Sequence, residues 1–599
     1  MKKIIVRRDI AETENELPGD LHPVLRRVYL SRHLHDVREL QYSLDALHPY
    51  RSLKGIDAAV TLLVEALHRK KRILIVADFD ADGATSCAVA VRGLRLLGAS
   101  DVCFVVPNRF EYGYGLTPEI VAVAAEQQPD LIITVDNGIS SIDGVAAARR
   151  RGIQVLVTDH HLPGDALPEA DAIVNPNQPG DAFPSKNLAG VGVIFYVLLA
   201  LRARLREEGW FAGAGIAEHP SPFRGCEPNL AQLLDLVALG TVADVVPLDH
   251  NNRILVSQGL ARIRADRCCE GIRALLEVAG RNSRQLAAAD LGFAVAPRLN
   301  AAGRLEDMSL GIACLLSDDA AQAHGMAARL DQLNKERRGI EAQMQQEALA
   351  AIAALRVSED DPALPVGVCL FQRQWHQGVI GILASRIKDR LHRPVIAFAQ
   401  TGENELKGSA RSVSGVHIRD VLDAVAARHP GLVSKFGGHA MAAGLTLPRK
   451  NFAAFSAAFD EEVRRHLAPE DLRGVVFSDG ELAPGELNLD FAELLRGAGP
   501  WGQAFPEPVF DGAFEIVDQR IVGERHLKMV LKAAGNDRLF DAIAFNYGER
   551  RVPRDSLQIR VAYKLDVNEY RGQRSAQLLI EHLEPIQSQH NRQFYAGGE

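Results

Sequence analysis

The sequence lacks paired cysteines. Seven cysteines are scattered along its 599 residues, and no two of them form a Cys-x-x-Cys pair. An odd and dispersed set of this kind provides neither a disulfide framework nor the ligand spacing of a structural zinc site. Disulfide-stabilised secreted domains and zinc ribbons are therefore poor models for this chain.

Long apolar runs are also missing. The longest run, around residues 191–201, is shorter than the roughly 18–20 residues that span a bilayer, and it predicts a buried helix. The charged N-terminus, Met1 to Arg8, has no apolar signal-peptide core. We therefore expect a cytoplasmic protein that does not associate with membranes.

An excess of positive charge is absent as well, since the formal net charge is −8 at pH 7. This value argues against a wholly basic nucleic-acid-binding surface. It allows a local basic groove, because binding follows local charge rather than the total. The length is enough for about three or four domains.

Three carboxylates follow one apolar run. Ile73–Ala77 leads directly into Asp78, Asp80 and Asp82, which occupy alternate positions. Side chains two apart on an extended segment share a face. Three negative charges so close repel one another unless a cation lies between them. The pattern predicts a hard-metal site at the mouth of a sheet.

Two other interpretations of this stretch compete with a metal site of this kind. An EF-hand calcium loop also begins Asp-x-Asp-x-Asp-Gly, but it needs a bidentate Glu at its twelfth position. Counting from Asp78, that position is Val89. An EF-hand loop also follows a helix, whereas this stretch follows a β-branched apolar run. The remaining alternative is a solvated acidic loop, which the motifs described below disfavour.

The region after Lys71 alternates strand-like and helix-like segments. Such alternation predicts an α/β fold with a doubly wound parallel sheet. The strand signals are Ile73–Ala77, Val102–Val106, Leu131–Val135, Val155–Thr158 and Ala172–Val174. Ligands of these sheets bind beyond the carboxyl ends of the strands.

Metal-type ligands follow several of these strands. The third strand ends in Asp136, and the fourth ends in Asp159, His160 and His161. The carboxyl ends of parallel strands meet at one edge, so these groups should converge with the first acidic cluster. Oxygen ligands with one His suit Mn²⁺ or Mg²⁺. We expect two ions, with Asp136 as a candidate to bridge them.

The rest of the chain divides into further predicted units. An Ala-, Gln- and Glu-rich stretch without proline predicts a long connecting helix, a smaller α/β domain follows it, and five short strand signals after residue 510 predict a C-terminal β-barrel of the OB type. The predicted boundaries are 1–50 for an N-terminal arm, 51–316 for the catalytic domain, 317–361 for the connecting helix, 362–469 for the second domain and 470–599 for the OB-type domain.

Four motifs carry a resemblance to a known family. They are Asp159-His160-His161, Gly240–Leu248 with Asp244 inside it, Ala296–Arg304, and Trp375–Gly381. Together with the acidic stretch they resemble the DHH phosphoesterase superfamily, and most closely its RecJ family of single-strand-specific 5′→3′ exonucleases. The resemblance covers nearly the whole chain from about residue 50. It implies a DHH domain, a substrate-binding DHHA1 domain and an OB-fold.

The resemblance also implies a set of site residues. We expect the metal ligands to be Asp78, Asp80, Asp82, Asp136, His160 and Asp244, with Asp78 the least certain, and the catalytic groups to be Asp136, Asp159 and His161. Asp159 would orient its neighbours, and His161 would face the scissile phosphate. The substrate-binding residues would be Arg109, Arg298, Asn300, Arg304, Ser409, Arg411, Gly437, Gly438, His439 and Lys528. Paired ions suit in-line displacement at phosphorus.

The implied function is metal-dependent hydrolysis of single-stranded DNA from its 5′ end, releasing 5′-mononucleotides in DNA repair and recombination. The implied partners are single-stranded DNA, a single-stranded DNA-binding protein and a helicase, and we expect a monomer. Two alternatives stay open. One is a phosphodiesterase of short oligonucleotides or cyclic dinucleotides, and the other is a non-catalytic replication factor that only binds single strands.

Overall fold

The computed structural model of the chain describes most of its length. The described residues are 3–10, 15–107, 115–212, 226–354, 364–467, 469–523, 525–533, 537–548, 552, 558–570 and 572–586. Within these ranges, no helix is both long enough and apolar enough to cross a membrane.

The N-terminal residues are attached to the far end of the chain. Strand β1 (Ile4–Arg7) pairs in parallel with Val475–Ser478. Helix α1 (Pro23–Leu30) and three short 3-10 turns follow it, the turns at Val37–Leu40, Leu44–Ala46 and Tyr50–Ser52. The predicted arm therefore packs against the body of the protein.

The first large sheet is fully parallel, as the alternating pattern predicts. Its strands lie in the order β3-β2-β4-β5-β6. They are β2 (Ile73–Ala77), β3 (Val102–Val105), β4 (Leu131–Val135), β5 (Gln154–Thr158) and β6 (Ala172–Val174). Every residue of β2 and β4 is buried, because helices cover both faces of a sheet of this kind.

Helices surround this sheet and continue beyond it. They are α2 (Ile56–His68), α3 (Ala81–Leu96), α4 (Pro118–Ala125), α5 (Ile142–Arg150), α6 (Gly190–Glu207), α7 (Leu234–Ala243), α8 (His250–Arg264), α9 (Glu270–Val278), α10 (Ala288–Asp290), α11 (Ala296–Leu305) and α12 (Ser309–Leu316). A π-helical turn, Leu291–Val295, joins α10 to α11. Helix α13 (Ala320–Ala354) is the long connecting helix that the composition predicts.

The second domain has a mixed five-stranded sheet in the order β10-β11-β9-β8-β7, in which only β7 and β8 run parallel. Its elements are β7 (Val368–Phe371), α14 (Ile380–Leu391), β8 (Val395–Thr401), β9 (Glu405–Arg411), α15 (Ile418–Arg428), β10 (Lys435–Gly438), β11 (Ala442–Pro448) and α16 (Phe452–Val463). Two apolar clusters lie on opposite sides of this sheet.

The C-terminal part contains the predicted barrel. After β12 (Val475–Ser478) and α17 (Leu489–Gly497), five strands close in the order β13-β14-β15-β17-β16. They are β13 (Phe510–Val522), β14 (His526–Ala533), β15 (Leu539–Ala544), β16 (Gln558–Tyr570) and β17 (Gln573–Pro585). Closure removes the unpaired strand edges. The OB-type architecture is confirmed.

The barrel shares one continuous apolar core with the first domain and the N-terminal arm. A buried ion pair reinforces this junction. Arg32 of the arm donates to both carboxylate oxygens of Asp479, at 2.8 and 3.0 Å, and both side chains are only 1% exposed. The Arg32 guanidinium also lies over the ring of Trp501, 5.3 Å from its centroid. The arm therefore helps to fix the barrel to the catalytic domain.

Candidate active site

The acidic stretch lies where β2 passes into α3. Asp80 is the N-cap of α3, and its side chain accepts a hydrogen bond from the Gly83 N–H at 3.0 Å. Asp82 falls in the first helical turn and is 1% exposed. The strand-to-helix junction therefore presents the carboxylates at the carboxyl edge of the sheet, where ligands of such sheets bind.

A second helix holds Asp82 in place. The two carboxylate oxygens of Asp82 accept hydrogen bonds from the backbone N–H groups of Gly190, at 2.7 Å, and Val191, at 3.0 Å. These are the first two residues of α6, where the helix dipole and unpaired amides favour negative charge. Position 190 must be glycine, because a Cβ there would lie 2.6 Å from the Cβ of Asp136.

Asp136 lies at the end of β4, and its side chain is 2% exposed. Its backbone has a left-handed φ of 62°, which Asp tolerates better than most residues. Beside it, Asn137 donates to the carbonyls of Val76 and Val135 at 3.1 and 2.9 Å, which ties the ends of β2 and β4 together. The turn that carries Asp136 is therefore rigid.

The Asp-His-His segment at the end of β5 is organised by Asp159. One oxygen of this buried carboxylate accepts the His160 and His161 N–H groups and the His161 Nδ1–H, the last at 2.7 Å. The other oxygen accepts the Ile139 N–H at 2.9 Å. Both oxygens of Asp159 are thus occupied by N–H donors of the protein. A carboxylate bound in this way orients its neighbours instead of binding a metal ion.

His160 points at the carboxylates. Its Nε2 lies 3.1 Å from an oxygen of Asp136 and 3.5 Å from one of Asp244, which is the C-cap of α7. Within the described ranges, this buried Nε2 atom makes no hydrogen bond. An imidazole lone pair aimed at carboxylates without a shared proton fits a bound cation.

Donor atoms from these residues form three overlapping groups whose members lie within 4.8 Å of one another. The groups are Asp78 with Asp80 and Asp136, Asp82 with His160 and Asp244, and Asp136 with His160 and His161. Asp136 belongs to two of them. Carboxylate oxygens with one imidazole suit Mn²⁺ or Mg²⁺, so the residues present fit a pair of such ions.

The electrostatics of the carboxylates agree with this fit. Burial, followed by the charges of Asp82 and Asp80, raises the pKa of Asp136 well above its usual range. Burial and then the charges of the same two carboxylates raise the pKa of Asp244 well above its usual range. Burial and then Asp80 raise the pKa of Asp82 to about 7, against the α6 amides. A bound cation would offset both the burial of these negative charges and the repulsion between them.

The pKa values of the two histidines are shifted in opposite directions. Burial, and then the charge of His161, lower the pKa of His160 to about 4, so this imidazole is neutral and able to act as a ligand near pH 7. Burial alone would lower the pKa of His161, but the hydrogen bond and charge of Asp159 outweigh it and raise the value to about 9. His161 is therefore a cation near pH 7.

Several supporting groups were missed by the sequence analysis. They are the α6 amides of Gly190 and Val191, and Asn175 and Asn177, whose amides donate to the His161 and His160 carbonyls at 2.9 and 2.6 Å. The glycine at position 190, which begins the apolar run of α6, could have indicated a helix that starts in close contact with another part of the chain. The asparagines gave no comparable signal.

The predicted substrate residues of the first domain have different environments. Arg109 lies outside the described residues. Arg298 forms an ion pair with Asp331 of α13 at 2.7 Å, and Asn300 accepts the Ala81 N–H at 2.9 Å. Arg304 donates to the Gly378 carbonyl at 3.2 Å across the domain boundary. Arg298 and Asn300 thus bind other parts of the protein.

In the second domain, Ser409 and Arg411 lie on β9. Arg411 donates to Ser409 Oγ at 3.1 Å, and burial lowers the pKa of its guanidinium. A Cβ at Gly381, in the first turn of α14, would lie 3.0 Å from both side chains. A guanidinium, a hydroxyl and a helix N-terminus therefore converge, as in anion sites.

The glycine pair of the second domain lies on β10. Gly438 has a φ of 148°, and a Cβ there would lie 2.4 Å from the Ala442 carbonyl oxygen, whereas Gly437 faces open space. Burial and then the charge of His161 lower the pKa of His439. On the barrel, Lys528 points outward from β14 and lies 3.6 Å from Asp541.

This fold and this site define a metal-dependent phosphoesterase of the DHH class. The sequence matches the DHH family N-terminal domain over residues 72–241, the DHHA1 domain over 363–465 and the RecJ OB domain over 478–582. The chain is 59% identical to the single-stranded-DNA-specific exonuclease RecJ of Dickeya dadantii, over 97% of this chain and 99% of that protein. It is 54% identical to the protein of that name from Escherichia coli, with the same coverage.

Two solved structures have the same fold as this chain. The RecJ of Thermus thermophilus in complex with Mn²⁺ superimposes with a TM-score of 0.75 at 32% identity, covering 94% of this chain and 76% of that one. The Mg²⁺ complex of that protein superimposes with a TM-score of 0.71 at 30% identity, over 94% of this chain and 75% of that one. The chain belongs to the RecJ family of single-stranded-DNA-specific exonucleases.

Proposed function

We propose that this protein hydrolyses single-stranded DNA from the 5′ end and releases 5′-mononucleotides, with two Mn²⁺ or Mg²⁺ ions. The observation that carries the proposal is the convergence of five carboxylates and the His160 Nε2 atom at one edge of the sheet, in a chain of the RecJ family. Paired ions supply Lewis acidity and an activated water for in-line attack on phosphorus.

The ligand assignment follows the groups of donor atoms. We assign Asp78, Asp80 and Asp136 to one ion, and Asp82, His160, Asp244 and again Asp136 to the other. The sequence left Asp78 as the least certain ligand, and its place in the first group supports the assignment. Asp82 receives two amides from α6, so its orientation is fixed before any ion binds.

His161 and Asp159 act on the substrate side. His161 is protonated near pH 7, so it can donate from Nε2 to an oxygen of the scissile phosphate and offset the charge that develops there. Asp159 binds the opposite ring nitrogen and thereby fixes both the ring orientation and its charge. We keep Asp159 as a positioning residue.

The end of the strand would be held by the second domain. Ser409, Arg411 and the first turn of α14 form the anion site described above, and a guanidinium is suited to a terminal phosphate. We add His439, which directly follows β10, as a further hydrogen-bond donor to the substrate phosphate. Arg304 connects the two domains, so its role in the proposal is to hold the cleft between them in shape. Arg109 stays a proposal on sequence alone.

The experiment compares one single strand labelled at either end, with Mn²⁺ or Mg²⁺. We expect the 5′ label to leave at once as a mononucleotide, whereas the 3′ label stays in long fragments until late. A duplex of the same sequence should resist. Early loss of the 3′ label would overturn the polarity, and cleavage of a dinucleotide alone would favour the short-oligonucleotide phosphodiesterase instead.

The non-catalytic alternative is disfavoured by the complete acidic set and by the names of the relatives. We further propose that the protein acts as a monomer in the cytoplasm, in DNA repair and recombination, with a single-stranded DNA-binding protein and a helicase as partners. These last assignments rest on the family alone. Size-exclusion chromatography with light scattering tests the monomer, and co-purification with each named partner tests the assembly.

A further inference from the structure

Helix α13 belongs to the apolar cores of both α/β domains. The buried residues of its first half lie in the core of the catalytic domain, and they are Ala323, Ala327, Leu330 and Leu333. Those of its second half pack in the core of the second domain with α14, and they are Met344, Ala348 and Ile352. The helix runs for 35 residues and contains no proline, so it bends little. It therefore holds the two domains at one distance from each other.

Two polar contacts fix the second domain at defined points of this helix. Glu341 of α13 accepts a hydrogen bond from Arg386 Nε of α14 at 2.9 Å, and its other oxygen accepts from Arg337 at 2.8 Å. Further along α13, Glu347 accepts the Trp375 Nε1–H at 2.8 Å. Apolar packing is non-directional, whereas a hydrogen bond requires a particular geometry. The two glutamates therefore determine where α14 and the loop before it lie along α13.

Helix α11 connects the acidic stretch to the same loop. Asn300 accepts the Ala81 N–H of that stretch at 2.9 Å, and Arg304 donates to the Gly378 carbonyl at 3.2 Å. A Cβ at Gly378 would lie 2.4 Å from the Arg304 carbonyl oxygen, so the loop is in direct backbone contact with α11. Asn300 and Arg304 are separated by about one helical turn, or about 6 Å along the axis. The acidic stretch and the loop are thus attached to α11 within about one turn of each other.

This loop, Trp375 to Gly378, leads directly into the anion site of the second domain. Gly381, in the first turn of α14, lies against Ser409 and Arg411. Any shift of α14 along α13 therefore moves the anion site relative to the metal centre. In the proposed function the terminal phosphate binds at the first site and the scissile phosphate at the second. The separation of the two sites then decides how many nucleotides lie between these phosphates, because only a correctly placed bond reacts.

We propose that Glu341 and Glu347 are positioning residues that limit the product to one nucleotide. Through Arg386 and Trp375 they hold the anion site at a fixed distance from the metal centre, so that only the first phosphodiester of the strand reaches the ions. Neither glutamate belongs to the metal centre or to the anion site. The inference rests on the proposed exonuclease function, and it adds the residues that set the length of the product.

The test measures the first product that the full-length protein releases from a 5′-phosphorylated single strand with Mn²⁺, with mononucleotides and dinucleotides resolved in a single turnover. The Trp375→Phe/Arg386→Ala variant removes both donors. It keeps an aromatic ring at the buried position 375 and leaves Arg337 as the partner of Glu341. We expect the dinucleotide to rise from a trace to at least about a tenth of the first products, because hydrogen bonds to charged groups are among the stronger ones.

Two single variants serve as controls, and both should release mononucleotides. Glu336→Gln changes an exposed glutamate that accepts a hydrogen bond from Gln332 within α13 itself. Glu347→Gln keeps an oxygen that can accept from Trp375.

If the double variant releases only mononucleotides, at whatever rate, the proposal is overturned. An equal share of dinucleotides from Glu336→Gln would also overturn it, since any disturbance of α13 would then have the same effect. Failure of the proposed function itself is seen separately, in an unmodified protein that releases no mononucleotide.

Discussion

His160 Nε2 lies 3.1 Å from an oxygen of Asp136 and makes no hydrogen bond in the described part of the chain, although this atom and the Asp136 side chain are buried. The two residues are at the ends of neighbouring parallel strands, β5 and β4. Burial keeps the imidazole neutral by lowering its pKa to about 4. A neutral ring facing a carboxylate without a shared proton is a ligand pair prepared for a cation.

The first prediction concerns Asp136, which belongs to two of the donor groups. Asp136→Asn keeps the shape and tolerates the left-handed φ, but it removes a charged ligand. We expect hydrolysis of single-stranded DNA to fall by at least about a thousandfold, because several kcal/mol of charge stabilisation are lost. DNA affinity should survive, as measured by fluorescence anisotropy.

The matched control for this change is Asp143→Asn, an exposed carboxylate in the first turn of α5, which should leave the rate unchanged. In a chelator, Asp136→Asn should unfold at a higher temperature than the unmodified protein, since a neutral amide avoids the cost of protonating or burying a carboxylate at this position. Full manganese-dependent activity in Asp136→Asn would contradict the ligand assignment.

The second prediction concerns the stability of the metal-free protein. Folding raises the pKa of Asp82 to about 7 and those of Asp136 and Asp244 well above their usual range. The folded state thus holds protons that the unfolded state releases near pH 4. The associated stability is complete below about pH 4 and declines as pH rises through about 7, by about 1.4 kcal/mol per pH unit for each group that keeps its proton.

Thermal unfolding in a chelator from pH 5 to pH 8 measures this decline. Adding Mn²⁺ should remove most of it, because the ion binds the deprotonated ligands and is itself bound more tightly at higher pH. Metal-free protein that becomes more stable across this range would contradict the clustering of the three carboxylates.

The third prediction concerns Asp159. Asp159→Asn keeps one oxygen for the three histidine N–H groups and turns its NH₂ towards the Ile139 N–H, and it removes the charge that raises the pKa of His161 to about 9. That pKa should fall towards the ordinary value of about 6.5. We expect the alkaline limb of the pH–rate profile to move to lower pH and the rate at pH 8 to fall about 10–100-fold.

The control for Asp159 is Asp171→Asn. Asp171 lies near the opposite end of the same strand and accepts the Val155 N–H at 2.8 Å, so it shares the backbone role without contacting a histidine. Its pH profile should be unchanged. A uniform loss of rate in Asp159→Asn, without a shift of the profile, would show that Asp159 is only structural.

The fourth prediction concerns the barrel. Lys528 faces outward on β14, and Asp541 of β15 lies 3.6 Å away. If Lys528 contacts a DNA phosphate, Lys528→Ala should weaken binding and reduce the slope of log affinity against log salt by about 0.7. The rate at saturating DNA should not change. Asp541→Asn is the matched control, and it should bind DNA as tightly or more tightly. Equal salt slopes in both variants would refute the contact.

Point variants are better suited to this question than removal of residues 470–599. Removal would take away Asp479, Trp501 and the Pro506 carbonyl, which contact Arg32, and would expose the apolar core that the barrel shares with the catalytic domain. It would also remove the partner strand of β1. Weak DNA binding by such a truncated protein would reflect damage to the catalytic domain as much as loss of the barrel.

The sequence by itself determined the order of the elements and the edge of the sheet at which chemistry is possible. Alternating strand and helix signals require a parallel sheet, and parallel strands carry Asp78, Asp136 and Asp159 to the same edge whatever the details of packing. The outward direction of Lys528 follows in the same way from the two-residue period of a strand. These conclusions need only local periodicity.

Only the tertiary structure decided which groups meet. The first turn of α6 and the C-cap of α7 come from more than 100 residues beyond the acidic stretch, and their contacts with Asp82 and His160 depend on helix packing. The same holds for the ion pair of Arg298 with Asp331, while the predicted contact of Arg298 with the substrate stays a prediction. A side chain has several partners within its reach, and long-range packing, which no local pattern encodes, selects one of them.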